Sequence, residues 1–141
     1  MKIGFICHHK NSQDKSYTGV WGDELVSQFY CNAMNKLGIN AGVYTVDMLD
    51  KNNPLDVAIY TTTLMPRDIQ TKFAKKSILW VQGFTSDGGT GVISLDSLYE
   101  GNKSYYDMII TASKVLADKY NIPFIIPPVD MDVYKLVGYK N

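Results

Sequence analysis

Apolar residues recur along this chain in two ways: in short, nearly unbroken runs, and in longer stretches where they return every third or fourth position. Lys2 to Cys7 is a run of the first kind. That is the pattern of a strand buried on both faces of a parallel sheet, and it predicts the first, central strand. The polar stretch His8 to Trp21 follows, a loop long for a strand-to-helix connection, and long loops in that place commonly carry function. From Gly22 onward Leu25, Phe29, Ala33 and Leu37 recur every fourth residue, flanked by Val26, Tyr30 and Met34. This spacing predicts an amphipathic helix stopped by Gly38. Further runs predict strands at Ala41 to Val46, Val57 to Thr61, Ser77 to Gln82, Met108 to Thr111 and Phe124 to Ile126. Between them lie a short helix from Pro66 to about Lys75, a loop from Gly83 to Gly91, a weakly helical piece between Leu95 and Tyr105, and a helix from Ser113 to Tyr120.

Strands alternating with helices imply parallel strands joined by right-handed crossovers. The predicted fold is therefore α/β: a Rossmann-like open parallel sheet with helices on both faces, one domain spanning residues 1–141. Ligands in such sheets sit outside the carboxyl ends of the strands, where the strand order switches. The candidate surface gathers His8 and His9, the loop up to Gly22, and the loops after Asp47, Tyr60 and Gln82.

Composition narrows the function. A chain of 141 residues suits one domain and excludes a complete two-domain enzyme. With 45% hydrophobic and 20% charged residues it can bury a core without metal or disulfide staples. Fourteen basic side chains balance fourteen acidic ones, so no net field recruits nucleic acid or an anionic membrane. Arg67 is the only arginine, which leaves backbone amides or lysine to hold any phosphate. Cys7, Cys31, His8 and His9 form no metal-spaced set, so no metal is expected and the cysteines read as small apolar fillers in a reducing compartment. No secretory leader and no stretch of about 20 apolar residues is evident. A cytoplasmic chain without a membrane span is expected.

Three clusters could carry chemistry. Gly19-Val20-Trp21-Gly22 precedes the first helix, where backbone amides and the helix dipole favour an anion, although Asp23 and Glu24 would oppose one and suit a plain helix start. The dinucleotide fingerprint of three closely spaced glycines is absent here, yet Asp47 lies near the place of a ribose-binding acid and keeps an NAD-dependent reading open. His8-His9, at the end of the first strand, can exchange a proton near neutral pH or hydrogen-bond a sugar hydroxyl. Gly88, Gly89 and Gly91 suit either a surface loop or a lid over substrate. Trp21, Tyr17, Phe84, Tyr105 and Tyr106 lie in or beside polar loops, where aromatic faces serve sugar stacking or a protein interface.

The last third is the most distinctive: Tyr106-Asp107-Met108-Ile109-Ile110-Thr111-Ala112-Ser113, a helix over Lys114 to Tyr120, then Pro123-Phe124-Ile125-Ile126-Pro127-Pro128-Val129-Asp130-Met131-Asp132-Val133-Tyr134. It resembles the end of the N-terminal domain of GT-B-type glycosyltransferases, in which an acid opens a strand ending in Ser, a helix follows, and a short strand runs into a Pro-x-x-Val-Asp turn and an aromatic residue. The earlier order agrees: a first strand, a glycine-bearing loop, a helix ending at Leu37-Gly38, then the strand from Ala41. The resemblance implies an acceptor-side domain whose partner, a donor domain in cis or in trans, holds most of the nucleotide-sugar. The chain stops at Asn141, about where the family's linker to that domain would begin. The donor is a substrate, so no cofactor is implied. On this reading His8, His9, Gly19, Trp21, Gly22, Gln82, Gly83 and Phe84 are the substrate-binding candidates. Many retaining members carry a histidine just after the fourth strand, where this chain has Gln82-Gly83, so no catalytic residue is assigned. The isolated chain is expected to be inactive and to self-associate weakly through its uncovered cleft face. A non-catalytic Rossmann-like or flavodoxin-like binding module is the alternative.

Overall fold

The computed structural model describes residues 1–7, 22–61, 73–82, 85–86 and 92–126. In chain order the elements are β1 (Lys2–Ile6), α1 (Gly22–Lys36), β2 (Asn40–Tyr44), a 3-10 turn (Val46–Met48), β3 (Leu55–Tyr60), β4 (Ala74–Val81), β5 (Thr85–Ser86), β6 (Val92–Ile93), α2 (Leu95–Asn102), β7 (Met108–Thr111) and α3 (Lys114–Tyr120). Five strands form one sheet in the order β2-β1-β3-β4-β7, every neighbouring pair parallel. The α/β, Rossmann-like class read from the sequence is the fold observed.

Alternation along the strands builds two cores. Ile3, Phe5 and Cys7 of the β1 run, Val43, Ile59, Trp80 and Ile110 face one side, where Val26, Tyr30 and Met34 of α1 pack on them. Ile6, Ala58, Tyr60, Leu79, Val81 and Ile109 face the other, under Leu98 of α2 and Leu116 of α3. Burial on both faces is what a parallel sheet requires, and each fully buried large apolar side chain contributes roughly 1.5–3 kcal/mol. Tyr30 ties its core together: its ring stacks on Phe5 at 5.8 Å and meets Trp80 edge-on at 5.2 Å.

The amino ends of the strands are fastened by carboxylates. Asp56 of β3 accepts from the Lys2 backbone N–H at 2.7 Å and from Lys75 Nζ at 2.6 Å, joining β1 and β4. Asp107, just before β7, accepts from the Ser77 backbone N–H at 2.8 Å and from its hydroxyl at 3.2 Å. On the outer strand, Asn35 of α1 donates to Ala41 O at 2.9 Å and accepts from Ala41 N–H at 3.0 Å, satisfying edge groups of β2. Helix α1 ends in a Schellman turn at Gly38, φ +79°, with Ile39 N–H donating to Met34 O at 2.9 Å and Gly38 N–H to Asn35 O at 3.0 Å.

Five sequence expectations need correction. The middle strand is β3, not β1, because the chain returns from β2 to the far side of β1. The stripe Leu25-Phe29-Ala33-Leu37 is only partly the buried face of α1: Phe29 is buried but Leu37 is 79% exposed, and it is the flanking Val26, Tyr30 and Met34, with the fully buried Ser27 and Cys31, that meet the sheet. Small side chains let the helix lie close, a need that hydrophobicity alone does not register. The predicted Pro66-to-Lys75 helix lies mostly outside the described residues, and its end, Ala74-Lys75, opens β4 in register with Leu55. Phe124 makes a single bridge to Thr111 instead of a full strand, since prolines at 123, 127 and 128 offer no N–H for a ladder. An antiparallel pair, β5 with β6, stands within and beside the predicted Gly83-to-Gly91 loop.

Candidate functional site

Strand β1 is followed by α1 and by β2 on one side, while β3 pairs with its other side. The strand order switches there, and the crevice of an open α/β sheet lies above the carboxyl ends at that point. Cys7 and Thr61, the residues directly after β1 and β3, lie at those ends, and Cys7 meets Ser27 of α1. Thr61 N–H and Oγ1 both donate to Ile6 O, at 3.1 and 2.9 Å. Thr61 Oγ1 lies 3.7 Å from Cys7 Sγ, and Cys7 Sγ lies 3.3 Å from Ser27 Oγ. The Cys7 N–H continues the ladder to β2 by donating to Tyr44 O at 2.8 Å. The result is a buried row of hydroxyl, thiol and hydroxyl beneath the start of α1.

Two further buried polar groups belong to the same elements and sheet edge. Glu24, in the first turn of α1, is 91% buried (9% exposed), and its negative charge suits the helix amino terminus. Gln82 follows β4, half-buried, with its Nε2 buried and without a hydrogen-bond partner. A buried donor left unpaired costs about 1–3 kcal/mol, which an oxygen of a bound molecule would recover. Farther along the edge, Thr111 Oγ1 donates to Val81 O at 2.9 Å and accepts from Ser113 N–H at 3.0 Å. Ser113 in turn caps α3 by accepting from Leu116 N–H at 3.3 Å.

Of the eight substrate-binding candidates, the structure describes two at this edge: Gly22, the first residue of α1, and Gln82. His8, His9, Gly19, Trp21, Gly83 and Phe84 lie outside the described residues, as do Gly88, Gly89 and Gly91. Asp47 sits in the 3-10 turn after β2, and Thr45 Oγ1 donates to its carboxylate at 2.5 Å. Asp107, part of the distinctive last third, is at the opposite, amino edge, where it registers β7 on β4. Sequence reasoning missed Ser27 and Thr61. The signal available for Thr61 was a polar Thr run beginning where an apolar strand ends; Ser27 gave none, being one serine in a helix.

The carboxyls held below the ordinary range do not mark the crevice. The Lys75 ammonium and then the Lys2 N–H hold Asp56 down, the Ser77 N–H holds Asp107 down, and Lys119 with the Tyr120 hydroxyl holds Asp96 down. Asp56 and Asp107 belong to the amino edge, and Asp96 links α2 to α3 through contacts of 2.7 Å to Lys119 and to Tyr120. Cys7 and Cys31 are both buried and share no disulfide. Among the described residues no group of three or more His, Cys, Asp or Glu gathers to hold a metal, and no helix is long and apolar enough to cross a membrane. Compared with protein-family models, curated proteins and solved structures, the chain matches none.

Proposed function

We propose that this chain is the acceptor-side domain of a GT-B-type glycosyltransferase, acting with a donor-binding domain in cis or in trans. One observation carries the reading: the order acid, strand, serine cap, helix and edge bridge, realised here by Asp107, β7, Ser113, α3 and Phe124. The order supports the resemblance, with the single bridge of Phe124 standing where the family has a short strand, and it is set on a parallel sheet. In this proposal the amino terminus of α1 and the Gln82 amide face the substrates. The loops bearing His8, His9, Gly19, Trp21, Gly83 and Phe84 complete the acceptor side, and the donor domain contributes most contacts to the nucleotide-sugar.

Titration of the isotope-labelled chain with UDP- and GDP-sugars, NAD and FMN, alone and beside a candidate donor domain, tests it. The expected result is amide shifts confined to Cys7, Gly22, Thr61 and Gln82 and their loops, and sugar transfer only when a donor domain is present. Transfer by the isolated chain at about 1 per second or more, a rate typical of complete enzymes, would overturn it.

A second reading, a non-catalytic flavodoxin-like binding module, is favoured by the strand order itself. The sequence β2-β1-β3-β4-β7 is the 2-1-3-4-5 order of flavodoxin-like domains. Saturable binding of FMN or NAD by the isolated chain would select this reading. It predicts a strict monomer, whereas the half-enzyme reading predicts weak self-association in sedimentation across a concentration series.

A further inference from the structure

No further inference is drawn: the strongest candidate, the apolar recess of about 70 Å³ beside α1, lined by Phe5, Tyr30, Met34, Ile59, Trp80 and Ile110 with the indole N–H of Trp80 buried and unpaired next to it, carries nothing because no feature of the described residues shows what covers it.

Discussion

Replacing Gly4 by alanine probes how closely β1 is packed. Gly4 lies in β1 opposite Gly42 of β2 and Ala58 of β3. A methyl carbon there would fall 2.3 Å from Leu55 Cδ1 and 3.0 Å from Cδ2 of the Tyr44 ring. Leu55 is 3% exposed, so its methyl has no solvent to swing into, and overpacking of this kind costs about 1–3 kcal/mol. Gly4 has no positive φ, so alanine fits the backbone and returns about 0.4–1 kcal/mol by restricting the unfolded chain. The expected net loss is about 1–2 kcal/mol, a factor of roughly 5–30 in the folding equilibrium. Urea unfolding followed by tryptophan fluorescence measures it, with an unchanged m-value showing that the fold is kept. Leu55→Ala by itself leaves a cavity and costs about 2–5 kcal/mol. In the double variant the new methyl enters the space that leucine vacates, so the two losses should fall short of their sum by about 1 kcal/mol or more. Additive losses, or a Gly4→Ala protein as stable as the parent, would refute the close contact.

Three further outcomes are expected. Asn35→Ala should destabilise by about 1–3 kcal/mol by stripping both partners from Ala41, and hydrogen exchange should quicken first along β2. The depressed carboxyls of Asp56, Asp96 and Asp107 stabilise the fold above about pH 4, where the unfolded chain is also ionised, and that contribution is lost as pH falls through their lower folded values; Asp56→Asn should flatten the acid limb of the stability curve. Burial pushes the Tyr60 phenol up to about 12, so Tyr60→Phe should remove a loss of stability that the parent shows as pH rises from about 10 toward 12, read by alkaline unfolding and the absorbance of ionised tyrosine.

How far the sequence speaks depends on whether a signal is local. β7 was readable to the residue because Met108 to Thr111 is an apolar run bounded by Asp107 and a capping Ser113. Gly38 marked the end of α1 for an equally local reason, a left-handed turn that few other residues enter cheaply. The inward face of α1 was readable only in part: Val26, Tyr30 and Met34 showed in the pattern, whereas Ser27 and Cys31 are chosen by closeness to the sheet, a tertiary constraint, and neither ranks with leucine. The start of β4 failed likewise: Lys75 and Lys76 are exposed at the sheet's rim, so their polarity hid the pairing of Ala74 with Leu55. For the crevice, the alternating elements located the edge, and Gln82 followed from the end of its strand. The Cys7-Ser27-Thr61 row joins residues 20 and 54 positions apart, beyond the reach of any spacing rule.

The two edges of the sheet therefore do different work. At the amino edge Asp56 and Asp107 spend their charge on neighbouring strands, fixing β1, β3, β4 and β7 in register. With the register fixed there, the carboxyl ends of β1 and β3 are held side by side whatever the loops above them contain. At that edge Thr61 is satisfied by Ile6 and Thr111 by Val81, while among the described residues the Tyr60 hydroxyl, the Trp80 indole N–H and the Gln82 amide are buried without a partner. On the glycosyltransferase proposal an oxygen of a bound molecule would pair with the Gln82 amide, and the choice of ligand would fall to the segments that follow each strand. The glycosyltransferase proposal and its rival therefore differ most in what they ask of His8 to Trp21 and Gly83 to Gly91, and substitutions in those segments are where the two will be decided.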